Sequence, residues 1–446
     1  MNLSQPFFSW TCLFPDEVAY RCAPHTTWAR QDSGDRNGNG GTGTHTVYVT
    51  ADRSAAELPD PAGHAGLVAL NCRGLSDRRL RDAGFPYVRR FAVLPNAGNP
   101  RWFIPLDTPA LAAAGFCLCA PFKRAARIKH FGARTAARLG LPVWYRDHLC
   151  IAQRETPPLE QALSRLFDGV PLRLALSSGT PPPAINRKIS LALLATDGRA
   201  LAFAKLPGPC TVSEGSVRRE ASVLAQLASL PATRAPRLLF AGGVGARYAA
   251  VYTPLNGRAP RVEPAEAHRK FLDGLRTDRV RVASDTDFVR ALSDRKPLLR
   301  SRPALMAALH ELLPVLGTLR LPATTVHGDF VPWNLREHRG VIGAFDWEYG
   351  EIDGLPLIDE THHLLAVGYL LKKWTPEHAY QRLAGIAAAP PLGLSVVAVR
   401  ALQLAYLLDY LLRLFGEGHG DEYPRVAWCR QIVSRLVQNA VRGAAA

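Results

Sequence analysis

None of the eight cysteines, Cys12, Cys22, Cys72, Cys117, Cys119, Cys150, Cys210 and Cys429, stands in a C-x-x-C pair or at zinc-ligand spacing. Nothing therefore signals a redox pair or a structural zinc site, and reduced thiols in a cytoplasmic protein are the expectation. The first residues lack a basic region followed by an apolar run, so no secretory signal is expected. Long uninterrupted apolar runs are missing too. The most apolar late segment, Leu394 to Phe415, carries Arg400, Asp409 and Arg413, which makes it a core helix rather than a membrane span. No internal repeat is found. Lysine is scarce, present only at positions 123, 129, 188, 205, 270, 296, 372 and 373, while Lys and Arg together number 54. A lysine inside a strand is therefore informative in this chain, because a bulky planar guanidinium would not easily replace it.

What the chain does have is length, apolar content and positive charge. Its 446 residues are 47% hydrophobic, ample for more than one core, and its net charge of +16 with a pI near 9.8 favours acidic partners: nucleotide, nucleic acid or an anionic membrane surface. Arginine-rich usage also follows from base composition in some genomes, so charge alone does not choose among them.

The chemistry is concentrated in Val326-His327-Gly328-Asp329-Phe330-Val331-Pro332-Trp333-Asn334 and in Ala344-Phe345-Asp346-Trp347-Glu348. Asp329 can accept the proton of an attacking hydroxyl, while Asn334 and Asp346 offer hard oxygen ligands to a Mg²⁺ ion that bridges nucleotide phosphates. Apolar flanks at 323–326 and 341–345 read as strands that deliver both aspartates to one cleft. An ordinary turn with a strand-end cap would need all these positions to agree by accident.

Upstream, 188–194 and 201–206 are strand-like runs separated by Asp197-Gly198, a strong hairpin signal. Lys205 lies near the end of the second run. Fifteen positions later Glu220 sits in a helical pattern with apolar Val217, Ala221 and Leu224. A strand lysine on the α- and β-phosphates, oriented by a helix glutamate, is the expected arrangement. The alternative is a surface lysine and a solvated glutamate. Ser178, Gly179 and Thr180 are candidates to offer backbone N–H groups to phosphates, whereas Pro181, Pro182 and Pro183 have none to give.

These residues resemble the aminoglycoside phosphotransferase and choline kinase group, whose catalytic loop reads H-G-D-x-x-x-x-N with a metal-binding aspartate on the next strand. The resemblance implies that Asp329 is the catalytic base, that Asn334 and Asp346 bind Mg²⁺, and that His327 buttresses the loop. It further implies that Asp359, in Gly354-Leu355-Pro356-Leu357-Ile358-Asp359, holds that loop in place. It also implies that 249–257, a strand running into a hinge, binds adenine through its backbone. Protein kinases read H-R-D, D-F-G and A-P-E instead. Here Gly328 replaces the arginine, Asp346-Trp347-Glu348 replaces D-F-G, and nothing like A-P-E follows, so a small-molecule acceptor is favoured. The run Asp346-Trp347-Glu348-Tyr349 with Leu355-Pro356-Leu357 is similar to phosphotransferases of polysaccharide biosynthesis.

Residues 1–170 read as a small α/β unit. Asp32 to Thr44 includes G-x-G-x-x-G at 38–43 and a calcium-loop-like start at Asp35, but lacks the flanking strand and helices either would need, so a loop is expected. Residues 80–105 are similar to the last strands of class I methyltransferases, yet no glycine-rich cofactor loop stands in context. Lys123, Arg127, His130, Arg134 and Arg138 recur at steps of three or four on a predicted helix, with Ile128 and Phe131 partly opposite. A solvated face is the plainer account, and peripheral membrane contact is left open.

The expected fold is α+β: a protein-kinase-like two-lobed structure, N-lobe 171–257 and C-lobe 258–446, preceded by the α/β region 1–170. The expected function is transfer of the γ-phosphoryl group of ATP, with Mg²⁺, to a hydroxyl of a small molecule such as an amino sugar, an amino alcohol or a sugar or glycan intermediate. Glu348, Glu351, Asp353, Asp409, Glu417, Asp421 and Glu422 would suit a cationic acceptor. Nucleic acid is not expected as a partner. The rivals are a catalytically silent kinase-like binding module and a nucleic-acid or membrane scaffold acting through the basic N-terminal part.

Overall fold

The computed structural model describes residues 11–14, 19–22, 46–50, 64–72, 75–119, 121, 124–179, 187–208, 211–230, 234–245 and 247–444. The glycine-rich stretch 32–44, Lys123, Thr180 and Cys210 lie outside them. The chain forms two compact units, residues 1–218 with 238–254, and residues 219–237 with 255–446.

In the first unit eleven strands of the described residues share one sheet. They are β1 (Ala19–Cys22), β2 (Thr46–Thr50), β3 (Gly66–Leu70), β4 (Tyr87–Leu94), β5 (Trp102–Pro105), β6 (Asp147–Gln153), β7 (Leu172–Ser177), β8 (Lys188–Ala195), β9 (Ala200–Pro207), β10 (Leu238–Val244) and β11 (Arg247–Tyr252), in the order β1-β2-β3-β6-β4-β5-β7-β8-β9-β11-β10. The first three strands are parallel and every other pairing is antiparallel. β5 pairs with β7, Trp102 opposite Ser177 and Phe103 opposite Leu176, so the sheet runs on across residue 170.

Local sequence explains the strands that matter for function. β8, reading KISLALLA, is buried at seven of its eight positions, which is why it shows no apolar-polar alternation. β9 does alternate: Ala202, Ala204 and Leu206 point into the core, and Lys205 lies on the other face. The two strands are joined at Asp197-Gly198, where Gly198 has φ +86° and a Cβ would come within 2.9 Å of the Ala110 carbonyl oxygen. Among the described residues five α-helices accompany the sheet: α1 (Asp77–Asp82), α2 (Pro109–Gly115), α3 (Arg124–Arg138), α4 (Pro158–Arg165) and α5 (Thr211–Leu227), the last continuing into the second unit.

The second unit is mainly helical, with α6 (Glu266–Asp273), α7 (Asp287–Asp294), α8 (Pro303–Thr318), α9 (Ile358–Leu370), α10 (Pro376–Ala388), α11 (Val396–Gly416) and α12 (Pro424–Ala444). Strands β12 (Arg276–Val282), β13 (Arg320–Val326) and β16 (Glu351–Gly354) make a three-stranded sheet, and β14 (Leu335–His338) with β15 (Val341–Ala344) makes a hairpin. α11 starts where the Ser395 side chain accepts the Ala398 N–H at 3.1 Å, and its apolar residues are buried around most of its circumference. Its Asp409 stays in that core by pairing with Arg413, one turn on, at 2.9 Å, and with Arg295. Of the charges that interrupt Leu394 to Phe415, Asp409 and Arg413 thus form an internal pair. Among the described residues no helix is long and apolar enough to cross a membrane.

Candidate active site

The loop that follows β13 is fixed by hydrogen bonds at several of its backbone groups. Gly328 adopts φ +79°, and a Cβ there would lie 2.4 Å from the Tyr349 carbonyl oxygen, so only glycine fits. Asp359, in the first turn of α9, accepts from the N–H groups of His327 at 2.7 Å and Gly328 at 2.9 Å, satisfying two buried donors. Arg413, itself paired with Asp409, donates to the Gly328 carbonyl at 3.0 Å. Burial pushes the Asp359 carboxyl up to about 7, against the pull of its two amide partners.

His327 is fully buried and works through both ring nitrogens. Nδ1 accepts the Asp329 N–H at 3.2 Å, so Nε2 carries the proton and donates to the Phe345 carbonyl at 2.9 Å. Burial pushes this imidazole down to about 4, keeping it neutral. One ring thereby ties the loop bearing Asp329 to the strand end bearing Asp346.

The β14–β15 hairpin then sets Asn334 beside that strand end. Its register pairs Leu335 with Ala344, and one step further the Phe345 N–H donates to the Asn334 carbonyl at 3.0 Å. The Asn334 amide turns back to donate to the Asp329 carbonyl at 3.0 Å and to Asp329 Oδ2 at 2.7 Å. Asp346 follows Phe345 directly and has φ +70°, a left-handed conformation uncommon for aspartate. Trp347, fully buried, donates its backbone N–H to Glu220 Oε1 at 3.2 Å and its indole N–H to the Ala344 carbonyl at 2.9 Å. The second unit therefore brings together His327, Asp329, Asn334, Asp346 and, through Trp347, Glu220.

The remaining candidates lie in the first unit. Lys205 pairs across β8 with Ser190, which pairs in turn with Ser177, so Ser178 and Gly179 leave the sheet two strands from the lysine. Ser178 is buried and already donates its N–H to the Arg101 carbonyl at 2.9 Å. Gly179, at φ +69°, directs its N–H to Ser177 Oγ at 3.4 Å, and a Cβ on it would meet the Lys188 carbonyl at 2.8 Å. Backbone packing is thus one sufficient reason for this glycine.

The roles of two residues, His362 and Arg413, escaped the sequence analysis. His362 on α9 donates from Nε2 to Asp329 Oδ1 at 2.8 Å, while the Tyr406 hydroxyl lies 2.9 Å from its Nδ1. Burial lowers the His362 pKa, against the pull of its hydrogen bond and charge attraction to Asp329. Burial, the largest influence, would raise Asp329, but the hydrogen bond from His362 and the charge attraction of His362 and His327 together hold that carboxyl below the usual aspartate value. The available signal was helical spacing: His362 is three residues after Asp359, on the same helix face, and both touch the loop. For Arg413 the signal was an Asp409–Arg413 pair one turn apart inside an apolar helix.

Such a constellation is compatible with phosphoryl transfer. A carboxylate is held at a clamped loop, and two oxygen donors sit on neighbouring strand ends. Residues 192–364 match the model of the phosphotransferase enzyme family, APH. This segment, under half of the chain, resembles that family, and its phosphotransferase character makes the chain a small-molecule kinase. No curated protein matches the chain. Among solved structures it is similar to a thermostable aminoglycoside phosphotransferase APH(4)-Ia in a ternary complex with ADP and hygromycin B, at 14% identity over 63% of this chain and 98% of that one, with a TM-score of 0.44. A putative fructosamine-3-kinase from Haemophilus somnus is similar at 14% identity over 63% and 96%, with a TM-score of 0.41. An ethanolamine kinase from Plasmodium vivax is similar at 11% identity over 71% and 89%, with a TM-score of 0.42.

Proposed function

We propose that the chain transfers the γ-phosphoryl group of ATP to a hydroxyl of a neutral, hydroxyl-rich small molecule, a sugar or glycan intermediate. The carrying observation is Asp329, whose two oxygens are fixed by His362 and Asn334 on a loop that Asp359 and Arg413 immobilise. In this reading the acceptor oxygen bonds to the γ-phosphorus as the bond to the β,γ-bridging oxygen breaks, ADP leaves, and the acceptor proton passes to Asp329. Because that carboxylate is a weak base, its main work is to orient the hydroxyl, which suits a loose transition state with little nucleophile activation.

Asn334 and Asp346 fit a Mg²⁺ ion, which takes one or two protein oxygens and fills its shell with phosphate and water. With Nδ2 spent on Asp329, Asn334 has Oδ1 left for the metal. A bound Mg²⁺ would neutralise charge on the phosphates. Lys205 is assigned to the α- and β-phosphates and Glu220 to orienting it, a role that the Glu220 contact with Trp347, next to Asp346, supports. ATP as donor and the cytoplasm as compartment belong to the same proposal.

The preference for a neutral acceptor rests on the acidic residues. Asp353 pairs with Arg281, Asp409 with Arg413 and Arg295, and Asp421 with Arg302 and Arg430. Glu417 accepts from the Tyr349 hydroxyl at 3.0 Å, and burial pushes the Glu351 carboxyl up to about 7. Most of the carboxylates that a cationic acceptor would need are already neutralised within the protein. A screen of ATP consumption with Mg²⁺, using neutral sugars and glycans, amino sugars and choline-like alcohols, with Asp329→Asn as blank, tests the reading. Turnover with a neutral acceptor is expected, and turnover confined to cationic acceptors contradicts it.

A further inference from the structure

The chain from residue 108 to residue 146 contains seven Lys and Arg and no Asp or Glu. Its central element, α3, touches the rest of the first unit along a narrow strip only. Ala137 is buried and Ala133 partly so, both in a cluster with Phe116. His130 turns inward as well, its ring edge-on to Phe116 at 5.3 Å and its Nε2 3.3 Å from the Phe116 carbonyl. The histidine counted on the basic face is therefore on the packed side.

The opposite side is apolar and open to solvent. Ile128 is 73% exposed and Phe131 72%, and just beyond the helix Leu139 is 68% and Val143 81% exposed. Helical spacing puts Ile128, Phe131 and Thr135 on one stripe, with Arg127, Arg134 and Arg138 along one flank and Lys129 on the other, all exposed. Ile128 and Phe131 thus sit beside the cations rather than across the helix from them. Exposed large apolar side chains grouped in this way mark an interaction site, since leaving them in water forgoes burial.

We propose that this face docks on an anionic lipid bilayer, the apolar stripe entering the acyl boundary and the flanking cations meeting the headgroups. Charge and shape choose this occupant. A second copy of the same face would set arginine against arginine across a two-fold axis. Nucleic acid rewards cations and several stacking rings, whereas this face offers one ring, Phe131, among Ile128, Leu139 and Val143, which gain nothing from phosphate. A bilayer surface rewards both halves of the pattern. The inference is independent of the phosphotransferase reading, because none of these residues belongs to that site.

Flotation of the full-length protein with phosphatidylcholine vesicles, with and without about 30 mol% phosphatidylserine, tests it, since each cation near an anionic surface is worth roughly a fivefold factor in partitioning. Recovery with the anionic vesicles is expected, weakening as salt is raised. The pair Ile128→Ser and Phe131→Ser should lower partitioning by about tenfold or more, and Arg127→Glu with Arg134→Glu should remove it, with the melting temperature unchanged in both. Equal recovery with neutral vesicles, no recovery with either, or recovery that the serine pair leaves intact overturns the proposal. Retention on single-stranded RNA without vesicle binding overturns it in favour of nucleic acid.

Discussion

Gly328 meets two requirements at once, a left-handed backbone and the absence of a Cβ opposite the Tyr349 carbonyl oxygen. Gly328→Ala should therefore cost about 1–3 kcal/mol in backbone strain and displace the loop, so turnover should fall further than stability, as paired melting and activity measurements would read. His362 makes a different demand, for a donor at one position. His362→Leu leaves Asp329 Oδ1 without its partner and should lower turnover by roughly ten- to a hundredfold with nucleotide affinity unchanged, while His362→Gln, which can place an N–H there, should recover part of the loss. Equal losses in both variants would mean that the ring only fills space. At this scale Asp329, Asn334 and Asp346 were legible because phosphoryl transfer restricts residue type and spacing within one short stretch. His362 and Arg413 were not, because they reach the loop from helices thirty to ninety residues downstream.

Among the elements, β13, β15 and the β8–β9 hairpin were readable from short apolar runs, whereas β14 was not. α11 was readable as a core helix, though not the internal pairing that lets it hold Asp409. β16 holds a property that no pattern announces. The carboxyl of Glu351 keeps its proton up to about pH 7 because it is buried near Asp409, whereas its ordinary value is 4.5. Between those values the folded state binds more proton than the unfolded one, so the contribution of this group to stability is full below 4.5 and lost as pH rises through 7. Glu351→Gln removes the titration. The variant should match the parent near pH 5 and exceed it near pH 8 by on the order of 1–3 kcal/mol, a difference that denaturant unfolding at both pH values would measure. A difference that does not grow with pH would contradict the assignment.

For the molecule as a whole, the sequence reading placed the candidate catalytic and metal-binding residues within 192–364, the segment that matches the family model. It could not disclose that the N-terminal strands join the same sheet, because the β5–β7 pairing links segments about seventy residues apart and leaves no local signature. The central claim is a division of labour between two aspartates of one site. Calorimetric titration of ATP, with and without Mg²⁺, into the parent protein, Asp329→Asn and Asp346→Asn tests it most directly. The account predicts Mg²⁺-dependent binding in the parent, nearly unchanged binding in Asp329→Asn, and binding weakened by roughly tenfold or more in Asp346→Asn, which loses a metal ligand. Binding that needs no Mg²⁺, or that both substitutions weaken equally, would contradict it.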